Sequence, residues 1–186
     1  MAKVCALIGI GANVSGTFGS PLATLQRAVV ELANFDIHVT AASSLYKTCP
    51  VGQGIQPFYL NAVLAVEVAV PPSQLLRCLK RLEGLAGRRR GRRNGPRPLD
   101  LDILDFGGRV LNWRSGLVGR RPVLVLPHPL AHRRLFVLVP LAEVAPSWRH
   151  PVLDATARQL AVRLGRAPVH GCAIAVQRIL DSSWIS

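Results

Sequence analysis

Two aspartates separated by a single residue, Asp100 and Asp102, carry the sharpest chemical possibility in the sequence. They fall in the segment Gly95-Pro-Arg-Pro-Leu-Asp-Leu-Asp-Ile-Leu-Asp-Phe-Gly-Gly108, whose alternating apolar residues predict a strand over 99–106. Successive strand side chains take opposite faces, so Leu99, Leu101 and Ile103 turn to a core while both carboxylates share the other face. Their Cα atoms are then ~6.5–7 Å apart, from a rise of ~3.3 Å per residue. Two like charges that close are unfavourable unless cations lie between them. The pair suits magnesium ions that keep positions open for water and phosphate oxygens. A solvated strand face balanced by arginines fits the same spacing.

The basic residues decide between these readings. Arg88, Arg89, Arg90, Arg92, Arg93 and Arg97 form the densest basic run, interrupted by Gly91 and Gly95, and three of the chain's ten acids (Asp100, Asp102, Asp105) follow it at once. Such a run can close over polyphosphate and neutralise developing charge, or it can form a nucleic-acid patch. Aspartates at the edge of a nucleic-acid face repel phosphate unless metals intervene. Metal plus arginine around a triphosphate accounts for both signs together.

Three further positions bear on a site. Glu83 falls inside the apolar stripe of its predicted helix, between Leu76 and Leu79 in angle. It therefore either faces the site from the rim of the core, or reaches solvent or an arginine. Tyr59 and Asn61 share one strand face, where a ring beside an amide suits a flat heterocycle. Two patterns mislead. Gly9-Ile-Gly-Ala-Asn-Val14 starts like a dinucleotide-binding loop, but Val14 occupies the third glycine position. His128 and His132 have a helical metal-ligand spacing, but Pro127 and Pro129 flank His128 and argue against a regular helix there.

The elements that must position these residues follow from periodicity. Val4–Ile10 reads as a buried strand. Ser20 and Pro21 supply an N-cap and a first-turn proline for a helix bearing Leu22, Leu25, Val29 and Leu32. Positions 37, 39, 41, 43 and 45 alternate as one strand, and Tyr59–Val70 alternates more cleanly. Pro71-Pro72 stops that strand and opens a helix bearing Leu75, Leu76, Leu79, Leu82 and Leu85. Pro122–Leu126 and Phe136–Leu141 are short apolar stretches, and a modest helix spans Asp154–Leu164. This order predicts an α+β sandwich, a sheet covered on one face by helices.

Composition agrees with one domain over 1–186, in which 151–186 is a tail without recognisable motifs. Hydrophobic residues make up 49% and charged residues 18% of the chain, a globular balance that excludes a disordered one. Only Lys3, Lys47 and Lys80 among 23 basic residues are lysines, and the net charge is +13. Arginine's planar fork suits phosphate and carboxylate oxygens, so a polyanionic ligand is expected. The four cysteines are far apart in the sequence, which predicts reduced thiols in the cytoplasm. No apolar run is long enough to span a membrane.

Taken together, the chain resembles the 6-hydroxymethyl-7,8-dihydropterin pyrophosphokinase family of folate biosynthesis, from about Val4 to about Pro146. The segment from Gly95 to Leu104 resembles the family signature. Gly11-Ala-Asn13, Ser44–Thr48, Tyr59-Leu-Asn61, Glu83, Pro127-His128 and Arg134-Leu-Phe136 support it in order. The resemblance implies a ferredoxin-like α+β fold, mainly antiparallel, with helices packed on the sheet. It implies transfer of the pyrophosphate of ATP to the pterin hydroxymethyl group with release of AMP, by a monomer. By position, Asp100 and Asp102 bind two Mg2+ ions, while Arg88 and Arg97 serve catalysis. Thr48, Val51, Tyr59, Asn61 and Phe136 bind the pterin, and Lys80, Glu83, Arg90, Ile103, His128 and Arg134 bind ATP. Four features depart from the family pattern: Asn94 where tryptophan is common, Cys49 where proline is common, Lys80 where glutamine is common, and a longer stretch over 108–123. The alternatives are a basic nucleic-acid-binding module and an inactive relative. Low aromatic content, 5%, disfavours the first, and retention of both aspartates disfavours the second.

Overall fold

The computed structural model describes residues 2–50, 56–89, 95–113, 124–165 and 176–185. Its centre is β1 (Val4–Ala12), which lies between β4 (Tyr59–Val68) and β5 (Asp100–Phe106). Beyond β4 come β3 (Leu45–Thr48) and β6 (Gln177–Leu180), giving the order β5-β1-β4-β3-β6, while β2 (His38–Ala42) also pairs with β4. Every one of these pairings is antiparallel. This is the mainly antiparallel α+β sandwich expected from the sequence.

Helix α1 (Pro21–Ala33) begins where the capping residues place it, with Ser20 Oγ accepting the Ala23 N–H at 3.3 Å. It buries Leu25, Ala28 and Leu32. Helix α2 (Pro72–Leu85) starts on the second of two prolines and buries Leu75, Leu79 and Leu82. Both pack on the sheet face that carries Ile8, Ile10, Leu64, Val66, Leu101, Ile103 and Phe106. Each such fully buried side chain contributes about 1.5–3 kcal/mol.

The other face is covered as well, contrary to the expectation of a one-sided sheet. Helices α3 (Leu135–Val144) and α4 (Ala157–Gly165) bring Val137, Leu138, Leu141 and Leu160 onto Leu7, Val63, Ala65 and Leu104. The second core exists because β4 is apolar in both parities, so Val63 and Ala65 need cover as much as Leu64 and Val66 do. Helix α3 coincides with the apolar stretch 136–141. No polar residue precedes Glu143 in it, so it has no period to read, and Pro140 argues against a helix. Helix α4 starts later than predicted, at a capping box in which Gln159 N–H donates to Thr156 Oγ1 (3.2 Å) and Thr156 N–H to Gln159 Oε1 (2.9 Å).

Two irregularities shape the site. The strand expected over 37–45 breaks at Ser43–Ser44 into β2 and β3. In β5, Leu7 pairs with Asp105 and Ile8 with Ile103, which leaves Leu104 as a bulge. Leu104 faces the second core, and the bulge brings Phe106, in place of Asp105, into the first beside Ile103.

Candidate active site

A cavity of about 590 Å³ opens on the sheet face shared with α3 and α4. Its wall includes nine of the residues expected from the sequence: Thr48, Tyr59, Asn61, Arg97, Asp100, Asp102, His128, Arg134 and Phe136. They come from β3, β4, β5, the segment before β5, the turn that leads into α3 and the first turn of α3 itself. Four others stand elsewhere. Glu83, Lys80 and Arg88 form a layer behind the aspartates, and Ile103, 3% exposed, is a core residue that does not line the cavity. Val51 and Arg90, with Asn94, lie outside the described residues.

Strand alternation turns Asp100 and Asp102 the same way, while Leu101 is buried on the opposite face. Asp100 Oδ1 accepts from Arg88 Nη1 at 2.7 Å and from Arg97 Nη1 at 2.6 Å. Burial alone would raise its pKa, but the two guanidiniums outweigh that and hold it below the usual carboxylate range. The same contact keeps Arg97 firmly charged in spite of its burial. Asp102 is looser, with Lys80 Nζ at 3.7 Å and His128 Nε2 at 3.8 Å, both beyond hydrogen-bond length.

Glu83 resolves in favour of a basic partner. It is 2% exposed. Its Oε1 accepts from Lys80 Nζ (2.7 Å) and from the Leu101 N–H (2.8 Å), and pairs with Arg88. Burial pushes its carboxyl up, against the pull of Lys80 and Arg88. Lys80 also donates to Leu101 O at 2.8 Å. Glu83 and Lys80 thus fix the outer edge of β5, and Arg88 carries the link on to Asp100.

Asn61 is oriented by two neighbours. Its Nδ2 donates to Thr48 Oγ1 at 2.7 Å, and its Oδ1 lies over Gly11, where a Cβ would approach to 2.7 Å. Tyr59 OH donates to Gly95 O at 3.0 Å, so the ring is tied to the segment that brings Arg97. Burial pushes the Tyr59 phenol up. The Arg134 guanidinium lies 5.6 Å from the Phe136 ring centroid. His128 Nδ1 accepts the Leu130 N–H at 3.1 Å, so the ring proton is on Nε2. Burial lowers its pKa, partly opposed by Asp102, and keeps the imidazole neutral.

Residues not assigned a role from the sequence also matter. Asn13 Oδ1 accepts the Arg97 N–H at 2.7 Å, its own N–H donates to Arg97 O at 3.1 Å, and its Nδ2 donates to Pro57 O at 3.3 Å. It clamps the entry to β5. The Gly11-Ala-Asn13 motif carried that information without a mechanism. Cys49, Leu130 and Arg133 line the cavity too; the sequence signal for them is only their nearness to Thr48, His128 and Arg134.

The carboxylates fit a divalent cation. They supply hard oxygen ligands beside a cavity that also presents arginines. Among the described residues no group of three or more His, Cys, Asp or Glu side chains could hold a metal. An ion here would complete its shell from phosphate and water, the habit of magnesium at nucleotide sites.

Comparison with known proteins gives the family of the chain. The profile of 7,8-dihydro-6-hydroxymethylpterin-pyrophosphokinase (HPPK) matches residues 7–146. The chain is 39% identical over 156 residues to the 2-amino-4-hydroxy-6-hydroxymethyldihydropteridine pyrophosphokinase of Synechocystis, covering 83% of this chain and 73% of that one. Identity to the enzyme of the same name from Methylorubrum extorquens is 41% over 142 residues, 76% of this chain and 82% of that one. The fold matches the crystal structure of Plasmodium falciparum HPPK-DHPS with pteroate at a TM-score of 0.63 and 15% identity, over 87% of this chain but only 42% of that chain. Matched by profile over most of its length and by relatives over most of theirs, the chain belongs to the 7,8-dihydro-6-hydroxymethylpterin-pyrophosphokinase family.

Proposed function

We propose that the cavity is where this pyrophosphokinase transfers the β,γ-pyrophosphate of ATP to the hydroxymethyl oxygen of 6-hydroxymethyl-7,8-dihydropterin, through the residues named above. The observation that carries the assignment is that one cavity joins Tyr59, Asn61, Thr48 and Phe136 to Asp100, Asp102, Arg97, His128 and Arg134. The first group suits a flat heterocycle with polar edges, and the second a metal-bound triphosphate.

Tyr59 and Phe136 hold the pterin ring by stacking, and the Asn61 amide with Thr48 reads its edge. Arg134 and Arg97 take phosphate oxygens, and Arg88 keeps Asp100 in place from behind. Two Mg2+ ions at Asp100 and Asp102, when bound, supply charge neutralisation for the triphosphate. In the reaction a bond forms between the hydroxymethyl oxygen and the β-phosphorus, and the bridge from the α- to the β-phosphorus breaks. AMP departs with the bridging oxygen and the bonding electrons, and the hydroxyl proton is lost to water. Positioning and charge compensation carry most of the rate enhancement, so no strong base is required. The protein is read as a monomer acting in the cytoplasm; no helix among the described residues is long and apolar enough to cross a membrane. A nucleic-acid-binding module or an inactive relative is not favoured, since both aspartates stand at the cavity wall.

The test is product analysis with ATP, magnesium and the pterin, using Asp102→Ala as control. Pterin-dependent AMP is expected from the native chain, and a loss of about 10²-fold or more from the variant. Its thermal stability should be unchanged, because Asp102 makes no side-chain contact closer than 3.7 Å among those above. ADP as the product, or full activity in the folded variant, would refute the reading.

A further inference from the structure

Strand β3 carries Thr48 to the cavity, and on its own it is only four residues long. It hangs from the Ser43–Ser44 break, where β2 stops. Its inner side is paired with β4 through Tyr46↔Asn61 and Thr48↔Tyr59. Its outer side is covered by β6, through Leu45↔Leu180, Tyr46↔Arg178 and Lys47↔Gln177. The 3-10 turn that follows, Ser182–Ile185, then inserts Trp184, 3% exposed, into the first core. Trp184 Nε1–H donates to Ser43 O at 2.8 Å in a buried bond, and Gln26 Nε2 of α1 donates to Trp184 O at 3.0 Å. Ser43 in turn exchanges bonds with Val63, a cavity residue, through Ser43 N–H to Val63 O (2.9 Å) and Val63 N–H to Ser43 Oγ (3.0 Å). All of 177–185 lies beyond residue 146, where the family profile ends.

We propose that segment 177–185 is a strap that sets the pterin side of the cavity, with Trp184 as its positioning residue. A break in a strand leaves main-chain groups without ladder partners, and a buried carbonyl without a donor is costly. Trp184 supplies the donor for Ser43 O. In doing so it pins the point from which β3 swings, while β6 removes the free edge of β3. The distance from Thr48 Oγ1 to Asn61 Nδ2 depends on both. The inference rests on reading Thr48 and Asn61 as the pterin edge.

The test compares Trp184→Phe, which keeps an apolar ring and removes the N–H, with the native chain in two measurements. The first is amide hydrogen exchange over 45–48 without ligand. The second is the KM for the pterin and for ATP. Faster exchange at 45–48 is expected, with a pterin KM raised about three- to tenfold, the equivalent of one buried hydrogen bond, and an unchanged ATP KM. In an Asn61→Ala background the added effect of Trp184→Phe on the pterin KM should vanish, since both act through one contact. Unchanged exchange at 45–48 overturns the strap whatever the kinetics. A pterin KM that responds to Asn61→Ala but not to Trp184→Phe, or an equal rise for both substrates, overturns the positioning role. A pterin KM indifferent to Asn61→Ala instead refutes the reading of the pocket, and leaves the strap to be decided by exchange alone. If Trp184→Phe does not fold, Gln26→Ala releases the same turn from an exposed position and should move both readouts in the same direction.

Discussion

At the scale of single residues, the absent side chain of Gly11 does as much for the cavity as any side chain present. The carboxamide of Asn61 lies in the space a Cβ at residue 11 would need, and that placement lets Nδ2 reach Thr48. Gly11→Ala must therefore turn the amide or push β1 away from β4. A pterin KM raised about tenfold or more is expected, for a cost of at least about 1.4 kcal/mol, with little change for ATP; steady-state kinetics in both substrates checks it. Asp100, Asp102, Tyr59 and Asn61 could be recognised from sequence because strand alternation alone says which side chains stand together. The bonds of Glu83 and Asn13 to the main chain of Leu101 and Arg97 could not be read from the sequence, because a distant backbone partner leaves no mark in the local pattern. Asp105 is a third case. It sits 4% exposed with Oδ2 accepting the Gly108 N–H; alternation alone would put it in the first core, and the bulge, which the spacing does not reveal, pairs it instead with Leu7 on the face of the second.

At the scale of elements, α3 is tied to the strand break through one carboxylate. Glu143 accepts from Ser44 N–H (3.0 Å), Ser44 Oγ (2.6 Å) and Tyr46 OH (2.9 Å). Burial, and then the bond to Glu143, push the Tyr46 phenol up to about 12. A raised folded-state pKa contributes stability that is complete below the ordinary value of 10 and lost as pH climbs through about 12. Glu143→Gln should bring the Tyr46 titration back toward 10 in an ultraviolet tyrosinate titration and cost about 1–3 kcal/mol by urea unfolding. The buried histidine beyond α3 works in the opposite sense. His150 is fully buried, and its Nδ1 accepts the N–H groups of Val152 and Leu153, both at 3.2 Å. Its ring lies edge-on to Trp113, His132 and Trp148. Burial first, and then the neighbouring His132, lower its pKa to about 4. The stability this contributes is complete above 6.5 and lost as pH falls toward about 4. Native protein should therefore lose more stability between pH 7.5 and 5 than His150→Phe, which is weaker at neutral pH but flatter; urea titrations at the two pH values compare the slopes. The elements themselves were legible wherever polar residues marked a period, as in α1, α2 and β5. Helix α3 was not, because a uniformly apolar run has no phase.

At the scale of the whole molecule, the charge of +13 acts on the two substrates unequally. The nucleotide is a polyanion and the pterin is not. Raising ionic strength from about 0.01 M to 0.15 M shortens the screening length from about 30 to 8 Å, so the ATP KM should rise about three- to tenfold while the pterin KM stays level. Initial rates across a salt series test the split, and equal responses would mean that the basic surface does not steer ATP.

The double apolar character of β4 has a further consequence. In a sheet with one wet face, a slip of one residue betrays itself by exposing the core. In β4 a slip would only exchange Leu64 and Val66 for Val63 and Ala65, hydrophobic side for hydrophobic side. The check on register must come from the polar members of the strand. A one-residue slip would drive Asn61 into the layer of Leu60 and Ala62, away from Thr48, and bury an amide without a partner. The residue read here as a substrate contact therefore also serves the chain as an error-detecting mark, so that correct alignment and a usable pocket are the same event.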